Sequence, residues 1–229
     1  MPTPDSDPAI LAQNLSRIYT MGETRVVGIA GIELEVTAGE LVVLKGNSGS
    51  GKSTLLSLIA GLDRATAGTL YVAGYDMGSA DGAELTRFRR EVVGMVFQAF
   101  NLLPTLSVEE NVCLPALLAG GNGRDIRKRA LELLDWLDLE HRRQHVPAQL
   151  SGGEMQRTAI ARALINDPAV ILADEPTGNL DSRNGQIVME LLAELNRRWA
   201  CTVIIATHSI LADPFATRTI CLKDGSIKS

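Results

Sequence analysis

Leu41–Leu62 read LVVLKGNSGSGKSTLLSLIAGL, and this stretch decides the fold. Leu41–Leu44 have the length and unbroken hydrophobicity of a strand buried on both faces, as in a parallel sheet. They run into Gly46-Asn47-Ser48-Gly49-Ser50-Gly51-Lys52-Ser53, which fits G-x-x-x-x-G-K-[ST], followed by Thr54. Leu55, Leu56, Leu58 and Ile59 then supply a helix with its buried stripe. Strand, glycine-rich loop and helix is the context in which this pattern holds phosphate. Glycines let backbone N–H groups wrap phosphate oxygens without a Cβ in the way, and the helix start adds free N–H groups and its positive dipole end. Lys52 is expected to reach the β- and γ-phosphates of a nucleotide, and the Ser53 hydroxyl to ligate Mg²⁺.

A phosphate loop does not say what is done with the nucleotide. Val170–Ala173 form a second apolar run that leads directly into Asp174 and Glu175. Asp174 is expected at the end of the strand next to the phosphate loop, where it would hold the Mg²⁺ shell. Glu175, one step further, is placed to take a proton from an attacking water, which favours hydrolysis over simple nucleotide gating.

Leu150–Arg157, LSGGEMQR, would on its own be a capped helix start, with Ser151, Gly152 and Gly153 preceding a run of helix formers from Glu154 to Ala163. Between the phosphate loop and VILADEP, it resembles the signature of the ATP-binding cassette (ABC) family. Gln98 in VFQAF matches the family's Q-loop, Gly178-Asn179-Leu180-Asp181 its D-loop, and His208 in ATHS its switch histidine. Tyr19 lies upstream, where the family places an aromatic under adenine.

The resemblance covers nearly the whole chain. It implies an α/β P-loop NTPase fold with a RecA-like core on a parallel sheet, an N-terminal antiparallel β-subdomain and a helical subdomain. It also implies ATP held by Tyr19 and Gly46–Thr54, with Lys52, Glu175 and His208 as catalytic groups and Ser53, Gln98 and Asp174 around Mg²⁺. Ser151, Gly152 and Gly153 would meet the γ-phosphate in trans, from a second copy bound head to tail. One phosphate loop and one signature per chain then imply a homodimer. Glu154 and Met155 depart from the family's more frequent glutamines, beyond the phosphate-contacting part.

The rest of the chain reads consistently. Ile10–Ile18 and Val26–Val36 alternate as strands around a Met21-Gly22-Glu23 loop, and 69–73, 92–97 and 203–206 read as further strands. Ile126, Ala130, Leu133, Leu134 and Leu137 recur at helical spacing, as do Ile187, Leu191 and Leu195. A hairpin is expected over 219–227, turning at Asp224-Gly225. One domain results: a flexible N-terminus over 1–8, a nucleotide-binding core over 9–98 and 164–229, and a helical subdomain over 99–163.

The 229 residues are 45% hydrophobic, enough for a substantial core. The net charge of −5 gives a nucleic-acid partner no support. Cys113, Cys201 and Cys221, with no C-x-x-C spacing, read as buried thiols in a reducing compartment. No apolar run reaches the ~20 residues of a membrane span, so no direct insertion is expected and a cytoplasmic location is. The basic clusters at 87–90 and 124–129 read as solvated helix faces.

ADEPTGNLDS, with GNSGSGKSTLL and FQAFNLLPTLSVEENV, is similar to the macrolide-export and lipoprotein-release (MacB/LolD-like) branch. That implies an ATPase subunit peripheral on the inner membrane, driving a permease of the MacB/LolCE/FtsX type by export, lipoprotein release or mechanotransmission. Phe100, Leu102, Leu103 and Leu106 are then candidates to line the groove that receives the permease's coupling helix. The alternatives are a nucleotide-gated scaffold ATPase of a cell-division-type complex and a soluble non-transport ABC ATPase.

Overall fold

The computed structural model describes residues 8–22 and 24–228. The elements in chain order are β1 (Ile10–Met21), β2 (Thr24–Val36), β3 (Leu41–Lys45), α1 (Lys52–Ile59), β4 (Ala67–Val72), β5 (Tyr75–Asp76), α2 (Gly82–Glu91) and β6 (Val93–Phe97). They continue with α3 (Val108–Leu118), α4 (Gly123–Trp136), α5 (Gly152–Leu164), β7 (Val170–Asp174), α6 (Ser182–Trp199), β8 (Thr202–Ala206), β9 (Arg218–Lys223) and β10 (Ser226–Lys228). Three short 3₁₀ turns lie between them.

Two sheets form. One is antiparallel, in the order β2-β1-β4-β5. The other runs β10-β9-β3-β8-β7-β6 and is parallel except for the final β9–β10 pair. The apolar strand runs follow from burial on both faces of this second sheet. Leu41, Val43, Ile171, Ala173, Val203 and Ile205 enter one core with residues of α3–α6. Val42, Leu44, Val170, Leu172, Ile204 and Ala206 point the other way, into a core with α1, α2 and the antiparallel sheet. Alternation of side chains along a strand thus sends every other residue of one apolar run to each core.

Between 99 and 163, α3, α4 and most of α5 form, with no strand among the described residues. Ser107 and Ser151 cap α3 and α5 in reciprocal boxes with Glu110 and Glu154. At Gly94 of β6 an added Cβ would lie 2.4 Å from the Ala163 carbonyl, so α5 sits as close to the sheet as a glycine allows. The hairpin turns as expected at Asp224 (φ 51°) and Gly225 (φ 77°), the left-handed pair that a two-residue turn demands.

Several expectations change. β7, which ends in Asp174, does not neighbour β3; β8 lies between them. β1 runs through Met21, so Tyr19 lies within the strand, and the expected loop shortens to Gly22 and a residue, Glu23, outside the described set. The flexible N-terminus read over 1–8 falls, but for Pro8, outside it too. Cys113 and Cys201 are buried, whereas Cys221 is exposed because β9 turns alternate residues outward. The basic clusters are only partly solvated. Arg89 donates to the Gly61 carbonyl (2.8 Å), Arg90 to the Leu118 carbonyl (2.8 Å), and Arg127 pairs with the largely buried Glu109 (2.7 Å).

Candidate active site

The site is a consequence of register. Leu44 of β3, Ala206 of β8, Asp174 of β7 and Phe97 of β6 stand level, each paired with the next. The residues that follow each strand therefore emerge along one edge: the phosphate loop after β3, Thr207 and His208 after β8, Glu175 after β7 and Gln98 after β6. The crevice outside the carboxyl ends of parallel strands is where open α/β sheets bind ligands.

A cleft of about 520 Å³ opens there, lined by Tyr19, Val26, Val27, Gly28, Ser48–Thr54, Gln98, Glu175 and His208. Within the loop, Lys52 is nearly buried, and its ammonium donates to the carbonyls of Gly46 (2.7 Å) and Asn47 (3.2 Å). Gly51 holds a φ of 104°, and a Cβ there would strike the Gly28 carbonyl at 2.6 Å. Ser50 Oγ is buried without a hydrogen-bond partner among the described residues. Its carbonyl accepts from the Gly225 N–H (3.1 Å), so the C-terminal hairpin turn buttresses the loop.

Glu175 leaves β7 with a φ of 46°, a left-handed conformation rare outside glycine, which turns its side chain back over the sheet edge. Its carboxylate meets four groups: His208 Nδ1 at 3.0 Å, the Thr207 hydroxyl, which donates at 3.0 Å, the His208 N–H, which donates at 3.4 Å, and Lys52 Nζ at 3.8 Å. Thr207 is fully buried and accepts in turn from the Ser209 N–H (3.0 Å), which fixes the direction of its own proton. The Ser53 hydroxyl donates to Asp174 (3.2 Å). Burial pushes the Asp174 carboxyl above its ordinary value, and Glu175 adds to this against Ser53 and Lys52. Gln98 and Asn179 exchange hydrogen bonds, Gln98 Nε2 to Asn179 Oδ1 at 3.3 Å and Asn179 Nδ2 to the Gln98 carbonyl at 2.9 Å.

Tyr19, the phosphate loop, Gln98, Glu175 and His208 thus come together, with Asp174 joined through Ser53. Ser151, Gly152 and Gly153 do not line the cleft. Gly153 also has a reason for its identity within its own chain: a Cβ would lie 2.4 Å from Asn184 Oδ1 on α6.

Residues 29–178, more than half of the chain, match the protein family described as ABC transporter. The chain belongs to the ABC transporter family. It is an ATP-binding, ATP-hydrolysing cassette of that family. It is 46% identical over 223 residues to an ABC transporter ATP-binding protein, MJ0796, of Methanocaldococcus jannaschii, covering 96% of this cassette and 95% of that protein. The macrolide export ATP-binding/permease protein MacB of Escherichia coli K12 is 47% identical over 220 residues, again 96% of this cassette. The cassette spans only 34% of the length of that relative. Among solved structures, a dimer of MJ0796 bound to ADP and Pi superposes with a TM-score of 0.89 at 44% identity, covering 96% of this chain and 97% of that one. No helix among the described residues is long and apolar enough to cross a membrane.

Sequence reasoning passed over several residues. Thr207 lies inside the quoted ATHS, but nothing in a lone threonine marks it as the partner of Glu175. Gly28 is required because a Cβ would lie 2.8 Å from the Tyr19 ring and 3.0 Å from Thr54. Asn111 organises the loop after Gln98, accepting from the Leu103 N–H and donating to the carbonyls of Leu103, Leu106 and Ser107.

Glu154 is also more than a departure from a common glutamine. It accepts from the Ser151 N–H and hydroxyl (both 2.7 Å) and from Arg142 (2.8 Å). Burial opposes the charge, but these three donors outweigh it and lower the carboxyl to about 2. A value lowered in the folded state stabilises above the ordinary carboxylate range and is lost as pH falls towards it. Glu154→Ala should therefore lower stability by about 1 kcal/mol at pH 7. In chemical denaturation the gap to the unsubstituted chain should narrow as pH drops from about 4.5 towards 2.

Proposed function

We propose that the cassette hydrolyses ATP as a head-to-tail homodimer and drives a membrane permease of the MacB/LolCE/FtsX type. The observation that carries this is the setting of Glu175: a carboxylate at the mouth of the phosphate loop, oriented by a buried threonine and within 3.0 Å of an exposed histidine. In this reading Tyr19 stacks on adenine, and Gly46–Thr54 hold the phosphates through backbone N–H groups. Lys52 exchanges its loop carbonyls for β- and γ-phosphate oxygens. Ser53, Asp174 and Gln98 offer a hydroxyl, a carboxylate and an amide oxygen, hard donors that suit Mg²⁺. When bound with ATP, Mg²⁺ neutralises phosphate charge as the transferring group departs.

Glu175 orients a water and accepts its proton as the oxygen attacks the γ-phosphorus in line. The bond to the bridging oxygen breaks, and ADP and inorganic phosphate leave. His208 hydrogen-bonds the γ-phosphate and keeps Glu175 in register. The negative charge is further stabilised by the N-terminus of the partner's α5, at Ser151–Gly153. Support for that trans role comes from the exclusion of these residues from their own chain's cleft and from the dimeric state of the related M. jannaschii cassette.

The core over 9–98 and 164–229 then carries the nucleotide, and the helical subdomain over 99–163 carries the signature and meets the permease. Support for docking beside Gln98 comes from the segment that follows it. Phe100, Leu102 and Leu106 are only half-buried, and Leu103 is 44% exposed. Arg162 holds the Phe100 and Asn101 carbonyls, and the backbone at both residues is left-handed. The proposed place of action is the cytoplasmic face of the inner membrane, through the permease.

Glu175→Gln should keep ATP affinity within about twofold yet reduce steady-state phosphate release by about 100-fold or more, leaving an ATP-loaded dimer in size-exclusion chromatography. Turnover at the unsubstituted rate would remove Glu175 from the role of base. Leu103→Asp should leave the ATPase of the isolated cassette intact and abolish its stimulation by the permease. Unchanged stimulation would move the docking site elsewhere.

A further inference from the structure

The Tyr19 ring is not a free aromatic on a strand. The guanidinium carbon of Arg17, two residues earlier on β1, lies 4.6 Å from the ring centroid. The same guanidinium grips Asp63 with both arms, Nε to Oδ2 and an Nη to Oδ1, each at 2.8 Å. The Tyr19 hydroxyl donates to Asp63 Oδ2 at 3.0 Å. With the Arg64 N–H on Oδ1 at 2.8 Å, each carboxylate oxygen has two donor nitrogens or oxygens within 3.0 Å, matching its two lone pairs. Ring face and ring hydroxyl are therefore both fixed by one carboxylate–guanidinium pair.

Asp63 is not on the antiparallel sheet. It stands just past the C-terminus of α1, where its N–H donates to the Ser57 carbonyl (3.2 Å), and α1 begins at Lys52. The carboxylate thus ties the Tyr19 ring on one sheet to the helix that carries the phosphate loop. On the side of β2, Gly28 lets the ring lie close to the backbone, with no Cβ to lift it. Tyr19, Val26, Val27 and Gly28 line the cleft, whereas Arg17 does not. The cation thus covers one face of the ring without itself lining the cleft, which leaves the opposite face for a base.

We propose that Arg17 and Asp63 are positioning residues for the nucleobase: they clamp Tyr19 as a pre-formed stacking platform at a set distance from the phosphate loop. This rests on the reading of Tyr19 as the residue that stacks on adenine. Binding a base on a loose tyrosine requires freezing its side chain, and a ring already frozen spares that loss. The guanidinium behind the ring draws on its π-density and leaves the cleft-side face more receptive to an electron-rich purine.

The test compares two probes on the full chain by titration calorimetry, MgATP and inorganic tripolyphosphate, which carries the phosphates without a base. Arg17→Ala should raise the Kd of MgATP about three- to tenfold, the range expected for releasing one ordered side chain, and leave that of tripolyphosphate unchanged. In steady state KM should rise by a similar factor while kcat stays constant. Arg17→Lys, which keeps a cation but loses the two-armed grip, should fall between. Equal weakening of both probes would mark a tie that only supports the fold and would overturn the clamp, as would no change in either. Tyr19→Ala separates the two layers. If it weakens MgATP selectively and Arg17→Ala does not, the clamp fails alone; if it leaves the ratio of the probes untouched, the adenine reading fails with it.

Discussion

Leu44, Ala206, Asp174 and Phe97 stand level at or next to the ends of four parallel strands, and this register is the constraint on which the site depends. It places the phosphate loop, His208, Glu175 and Gln98 side by side, although they lie far apart along the chain. A slip of one residue in β7 would turn Asp174 and Glu175 to opposite faces. The strands are apolar through their middles because both faces of the sheet are packed, and that double burial makes such a slip expensive.

Glycine shows how one residue type serves two demands. Gly49 and Gly51 hold the left-handed conformations that fold the phosphate loop back on itself. Gly28, Gly94 and Gly153 mark places where a second element leaves no room for a Cβ: the Tyr19 ring, the end of α5 and Asn184 of α6. Gly153 has a further use in the proposed dimer. It lets α5 pack on its own chain, and while the Glu154 N–H is taken by the Ser151 cap, the Gly152 and Gly153 N–H groups are left for a partner's phosphate.

Much of this was legible in the sequence. The phosphate loop, the acidic pair after β7, the signature and His208 each carry chemistry in a local pattern, and their order along the chain implied the family and the α/β fold. The strand order was not legible, because Val170–Ala173 and Val203–Ala206 are equally apolar and either could lie against β3. Nor was the partnership of Thr207 with Glu175, of Asn111 with the loop after Gln98, or of Asp63 with Arg17 and Tyr19. Each is a contact between ordinary polar residues brought together only by the fold. The basic clusters misled for the same reason, since Arg89, Arg90 and Arg127 find carbonyl and carboxylate partners that no helical pattern announces.

In the proposed mechanism a single cassette holds Tyr19, Lys52, Glu175 and His208 in one cleft and keeps Ser151–Gly153 out of it, so that catalysis needs a second copy. The most direct measurement is ATPase activity per chain as the isolated cassette is diluted, with light scattering to report its state. At low concentration, activity per chain should rise in proportion to concentration, and it should vanish where only monomer remains. Constant activity per chain in a solution that scatters as monomer would contradict the shared site.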